Sequence, residues 1–239
     1  MAAETQVLLD TERKYIAKFF SDASESDVKK IDVSTLAWAK HTLTLSAAST
    51  EKFKIGEVIT TGGAETFIVT DFTAGATTVT VIGWDNTNKK ATSIDTGMSN
   101  GDAIVGAVTG ANTRTVANSG AFTGLEWNVL VTKIMWATIG CQVGIEWDGS
   151  GAEKYIGEFG GNGSWSLPGM ELPGIGINAT GDSSEVLGDI QFTTADQGGT
   201  DSYTIIMELK KQAPGYDIPA YEENASLGYR VDYVLGNFT

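Results

Sequence analysis

Apolar and polar positions alternate at period two along most of the chain, the spacing of half-buried strands. In residues 14–20, Tyr15, Ala17 and Phe19 share one face, with Lys14 and Lys18 on the other. Residues 28–38 alternate weakly at first and then suggest a helical turn, so they predict a strand followed by a turn. TFIVTD (66–71) and TTVTVIGW (77–84) are β-branched and alternating, joined by a turn-like FTAGA. LEWNVLVTKIMWATI places Trp127, Val129 and Val131 on one face and Leu130, Thr132, Ile134 and Trp136 on the other. CQVGIEW alternates Val143, Ile145 and Trp147 and closes at Asp148 and Gly149. Residues 154–159 and 164–167 predict two short strands about a GGNG hairpin loop. DIQFTT (189–194) and SYTIIMELK (202–210) predict another hairpin across ADQGGTD, with Tyr203, Ile205, Met207 and Leu209 facing inward. The fold class expected is all-β: a jelly-roll-like antiparallel sandwich.

One region breaks the pattern. From about residue 42 to 116 the chain is rich in Thr, Gly, Ala and Val and poor in aromatics. It holds a short internal repeat, apolar–x–x–Gly–acid–x–Ile, once at Phe53 to Ile59 and again at Met98 to Ile104. Physically this is an apolar anchor, a turn at glycine and a strand that starts at the acid. Four or five short strands here predict a small inserted barrel or sandwich; two copies are too few for a solenoid. The organisation expected is a host sandwich over 1–45 and 114–212, an insert over 46–113, and a C-terminal arm over 213–239. The arm's aromatics, Tyr216, Tyr221, Tyr229, Tyr233 and Phe238, favour docking on a neighbour. With the N-terminal segment 1–13, these residues are the expected interface.

Composition narrows the function. Sixteen Lys and Arg against 30 Asp and Glu leave 239 residues with a formal charge of −14 and a pI near 4.4. So acidic a chain adds to phosphate repulsion, so a nucleic-acid partner is not expected. Twenty-nine Gly disfavour helical bundles, and six Trp, seven Tyr and nine Phe supply a core that a disordered chain lacks. The start MAAETQVLLDTERK has no apolar segment typical of export, and no run of about 18 apolar residues suits a membrane span. Synthesis in a reducing cytoplasm, with no membrane partner, is the expectation.

Candidate chemistry is sparse. One His and one Cys leave little for a zinc site or a Cys/His nucleophile, and no metal or cofactor is expected. His41, at the edge of the insert, suggests a solvated hinge residue. Cys141 alternates with Val143 and suggests an inert core thiol. Glu146 and Glu158 fall on neighbouring strands, but both lie on the solvent side rather than in the desolvated setting a glycosidase acid needs. The loop 148–153 carries Asp148 and Glu153 among glycines without the spacing of a calcium-binding loop. No phosphate-loop, nucleophile-elbow or HExxH motif occurs. The chain is not expected to be an enzyme. Trp38, Trp127, Trp136 and Trp147 belong to apolar runs; Trp84 and Trp165 sit beside turns and are the candidates for exposed glycan contact.

Several segments outside the insert also share a family pattern. They are ETQVLLDTERKYIAKFFSD, KKIDVSTLAW with Asp32, Val33, Ser34, Thr35 and Leu36, the apolar stretch ending in Trp147 and Asp148, the GGNGSW turn, and GDIQFTT followed by SYTIIMELKK. These resemble, over about 170 residues, a group of small virion structural proteins from tailed phages of cyanobacteria and other aquatic bacteria. The insert resembles the F-x-x-G-E-x-I modules of phage structural proteins. The resemblance implies a decoration or cement protein on the outer capsid surface, located in the virion. Its partners would be the major capsid protein and further copies of itself, as a homotrimer. A neck, tail or baseplate component, or a carbohydrate- or receptor-binding module, is the alternative.

Overall fold

The computed structural model describes residues 3–46, 53–61, 66–73, 75–88, 90–92, 103–106, 114–115, 122–124, 128–149, 154–166 and 186–212. The chain is all-β: its regular elements there are fifteen strands and one 3-10 turn, Val33–Thr35. It divides into two compact units, Met1–Val33 with Glu126–Ala213, and Ser34–Leu125 with Pro214–Thr239.

The first unit holds β1 (Glu4–Asp10), β2 (Lys14–Ser21), β3 (Val28–Ile31), β12 (Asn128–Gly149), β13 (Lys154–Ser166), β14 (Val186–Ala195) and β15 (Ser202–Gln212). Its antiparallel order is β1-β2-β15-β12-β14-β3, with β13 along the remaining side of β12. The key element is β12. At 22 residues it would run about 70 Å if straight, several times the usual strand. It pairs with β15 from Asn128 to Ile139 and with β14 from Gln142 to Gly149. Between these halves it turns a corner: residues 138–141 of β12 stand opposite Gly161 alone. Gly140 (φ 74°) and Gly161 (φ 66°) occupy the left-handed region there, and Thr138 Oγ1 accepts the Gly161 N–H at 2.8 Å. One strand therefore serves two layers.

The layers close on each other through aromatics. Phe19 of β2 meets Phe192 of β14 edge-on at 5.2 Å, and Phe192 meets Tyr203 of β15 at 5.9 Å. Ala17, Phe19, Ile134, Val143, Ile145, Ile205, Met207 and Leu209 are buried around them.

This geometry corrects three local readings. Val131 and Ile134 are both buried, because a register shift between Val131 and Lys133 changes the parity of the strand. Residues 154–166 form one continuous strand across GGNG. β14 and β15 do not form a hairpin with each other; they pair with successive halves of β12.

The second unit holds β4 (Lys40–Thr44), β5 (Val58–Thr61), β6 (Thr66–Phe72), β7 (Thr78–Asp85), β8 (Lys90–Ala91), β9 (Ala103–Gly106), β10 (Arg114–Thr115) and β11 (Phe122–Gly124). The order is β10-β9-β5-β6-β7-β4-β11, with β8 on β7. The two repeat copies supply β5 and β9, which pair antiparallel and bury Ile59 and Ile104 in one core with Phe53 and Phe67. Gly56 has the positive φ (86°) that the repeat's turn requires. The expected boundaries 46 and 113 shift outward to Ser34 and Leu125. β4 is the reason: its backbone pairs with β7 and β11, so 40–44 belongs with the insert. The arm 213–239 lies outside the described residues.

Candidate functional site

Of the two glycan candidates, Trp84 is corrected. It is 3% exposed and packs in a core with Ala37, Trp38, Ile68, Ile82 and Ala91, because β7 is covered on that side by the 36–39 segment and β8. A buried indole cannot stack on a sugar. Trp165 is half-buried on β13 and pairs with the inward-facing Ile134. Trp38 and Trp147 are core, and Trp136 is half-buried; its ring lies tilted against Phe159, with centroids 4.9 Å apart. Trp127 and the interface residues Tyr216, Tyr221, Tyr229, Tyr233 and Phe238 lie outside the described residues.

His41 is not a solvated hinge. It lies on β4, buried, with Nε2 3.2 Å from the Ser34 carbonyl oxygen. Cys141 is buried at the corner, its Sγ 3.6 Å from the Ser202 carbonyl oxygen. Burial, and then Asp201, push its thiol pKa up, away from thiolate chemistry. Glu146 and Glu158 flank Tyr155 on the outer face of β12 and β13. Burial and then Glu158 raise the Tyr155 phenol. Neither carboxylate is buried. Among the described residues, no three His, Cys, Asp or Glu side chains gather as metal ligands would.

What polar chemistry the sandwich has is structural, and sequence reasoning missed it. Glu25 is buried between two donors: Tyr203 Oη at 2.6 Å and Lys30 Nζ at 2.6 Å. Burial first, then the Glu25 contact, holds the Tyr203 hydroxyl protonated far above its ordinary range. Lys211 is fully buried at the other end, with its Nζ on Asp10 Oδ1 and on the Thr11 carbonyl oxygen, the latter at 2.8 Å. Burial lowers its pKa while Asp10 opposes the shift. Asp189 accepts Lys29 Nζ at 2.6 Å and the Val33 N–H at 2.9 Å. The partners shift in ways that disagree about the strength of their bond. The bond raises the more exposed Lys29, while burial outweighs it at Asp189 and raises that carboxyl too. The carboxylate bears the desolvation, so the pair fixes position more than it stabilises.

The surface element that stands out is β1. It pairs with β2 alone among the described residues, and residues 4–9 are exposed along their length. Val7, Leu8 and Leu9 are successive and 54%, 48% and 38% exposed. A register shift between Val7 and Leu9 breaks the alternation, so aliphatics emerge on both faces. The Lys211–Asp10 ion pair anchors the strand's end to the core.

No family model and no curated protein matches the sequence. A search of solved structures finds a chain titled "Complete structure of manganese lipoxygenase of Gaeumannomyces graminis and partial structure of zonadhesin of Komagataella pastoris", 9% identical. The match covers 86% of this chain and 79% of that one at a TM-score of 0.16. A score that low carries no argument about fold or chemistry.

Proposed function

We propose that the chain is a non-enzymatic virion structural protein of a tailed phage, a decoration or cement protein that binds the outer capsid surface. Its partners on this reading are the major capsid protein and copies of itself as a homotrimer. The observation that carries the reading is β1. An edge strand with three consecutive exposed aliphatics is a liability on an isolated protein, and natural edges are usually charged or covered. On a protein that works by contact it is a docking strand. The family resemblance of the host segments and the acidic composition point the same way.

The Asp10–Lys211 pair ties the half-buried residues 10–13 to the core, so the informative change is on β1's surface rather than removal of 1–13. In particles of the phage that encodes the chain, its copy number by quantitative mass spectrometry should be comparable with that of the shell protein. The triple variant Val7→Ser, Leu8→Ser, Leu9→Ser should keep its circular dichroism spectrum and lose incorporation about tenfold or more. Absence of the wild type from particles, or undiminished incorporation of the variant, overturns the reading.

A further inference from the structure

The two outer faces of the sandwich in the first unit differ in charge. Alternation and register assign side chains to each. On β2, Lys14, Ile16, Lys18 and Phe20 point away from the core, opposite Tyr15, Ala17 and Phe19. Across the pairing, Lys18 stands beside Ile206 and Ile16 beside Glu208. Met135 and Lys133 of β12 continue the same rows, and Lys210 pairs with Lys14. Among the described residues this face has four lysines, Lys14, Lys18, Lys133 and Lys210, against Glu208 and Glu4, with half-buried Ile16, Phe20, Met135 and Ile206 between them. Lys14 and Glu208 form a close ion pair on it, at 2.8 Å.

The other layer's outer face is the reverse. Among the described residues, Glu146 and Asp148 of β12, Glu158 of β13 and Asp27 before β3 share it with Lys29, whose closest partner is the buried Asp189. Tyr155, 58% exposed, lies among Glu146 and Glu158. Because Phe19 and Phe192 meet between the layers, these two faces point in opposite directions.

We propose that the basic-apolar face of one copy docks on the acidic face of the next, so that this chain self-associates face to back. A concentration of lysines interleaved with aliphatics is out of keeping with a chain of formal charge −14. A polyanion such as nucleic acid is repelled by the rest of the molecule, whereas a second copy brings the complementary surface with it. Five adjacent strands about 4.8 Å apart, over about eight residues each, give roughly 650 Å² of flat face, near the per-partner area of a standard interface. A heterologous contact of this kind builds a ring if its rotation closes and a stack if it does not. The inference concerns the isolated protein and does not depend on the virion reading.

Charge reversal on each face tests it. Sedimentation velocity of the wild type should show association that grows with concentration at low salt and weakens at high salt. Lys18→Glu with Lys210→Glu turns the basic face acidic, and Glu146→Lys with Glu158→Lys removes the acidic excess of the other. Each variant alone should associate at least about tenfold more weakly, and an equimolar mixture of the two should associate again. The mixture guards against misfolding, since a damaged protein is not rescued by an equally damaged partner. The proposal is overturned by a wild type that stays monomeric at low salt, or by association that salt leaves unchanged. It is also overturned by double variants that associate as the wild type does, or by a mixture that fails to.

Discussion

Glu25 shows how one residue ties the sandwich together. Its carboxylate joins Lys30, five residues on, to Tyr203, 178 residues away, and its backbone N–H reaches Thr194 Oγ1 at 2.8 Å. Both charged side chains are nearly inaccessible, at 5% and 6%, so each needs the other. Lys30→Met strands the carboxylate and should cost about 3–5 kcal/mol. Tyr203→Phe removes one donor from a buried acceptor and should cost about 1–3 kcal/mol. Urea unfolding of the two variants measures the difference. Equal, small losses would show that the carboxylate is solvated after all. The sequence offered no signal for this group: Glu25 sits in SDASES, a stretch with the composition of a surface loop. Its burial depends on β14 lying over it.

At the scale of the element, the corner in β12 decides the architecture. Gly140 and Gly161 share a left-handed conformation, but only Gly140 is crowded. A Cβ there would lie 2.0 Å from Asp201 Oδ1, while Gly161 has nothing within 4 Å. Asp201 is itself engaged, accepting the Gly198 N–H at 2.5 Å. Gly161→Ala should therefore cost only the backbone strain, about 1 kcal/mol, and Gly140→Ala about 2–4 kcal/mol through strain plus displacement of the Asp201 turn. Thermal unfolding of the two variants, with matching losses, would refute the role given to that contact. Strand identity was largely legible: alternation located β2, β6, β7 and β15 and the inner faces of β2 and β15. Continuity was not. Gly140 and the GGNG of 160–163 resemble turn residues by composition, and only pairing on both sides of β12 shows that strands run through them.

For the molecule as a whole, charge is the dominant property, and its pH dependence has a definite sign. The hydrogen bond from Lys14, ahead of its charge, holds Glu208 below its ordinary pKa of 4.5. A carboxyl depressed on folding adds stability that is present above that ordinary value and is lost as pH falls through the lower, folded one. Lys14→Gln should thus flatten part of the acid limb below pH 4.5 and change stability by less than about 1 kcal/mol at neutral pH, since the pair is largely solvated. Denaturation midpoints taken across the acid range check this; an acid limb with unchanged slope would remove Glu208 from the account. Asp189 has the opposite sign. Its raised pKa means that the stability it lends in the protonated form is lost as pH rises through the folded value.

Local chemistry by itself determined the all-β class, the faces of the regular strands and the repeat that yields two paired strands. Each follows from side-chain period, β-branching or a glycine turn, all of which act within a few residues. Only the tertiary structure decided that β12 serves two layers, that residues 34–45 join the second unit, that Trp84 and His41 are buried, and that Glu25 and Lys211 form ion pairs inside the sandwich. These depend on backbone hydrogen bonds and packing between residues far apart in sequence. A polar side chain carries no local mark of what will cover it, and a strand edge none of which strand will pair with it. The charge follows the same division: composition set its total, and the alternation of two folded layers sorted it into a basic face and an acidic one.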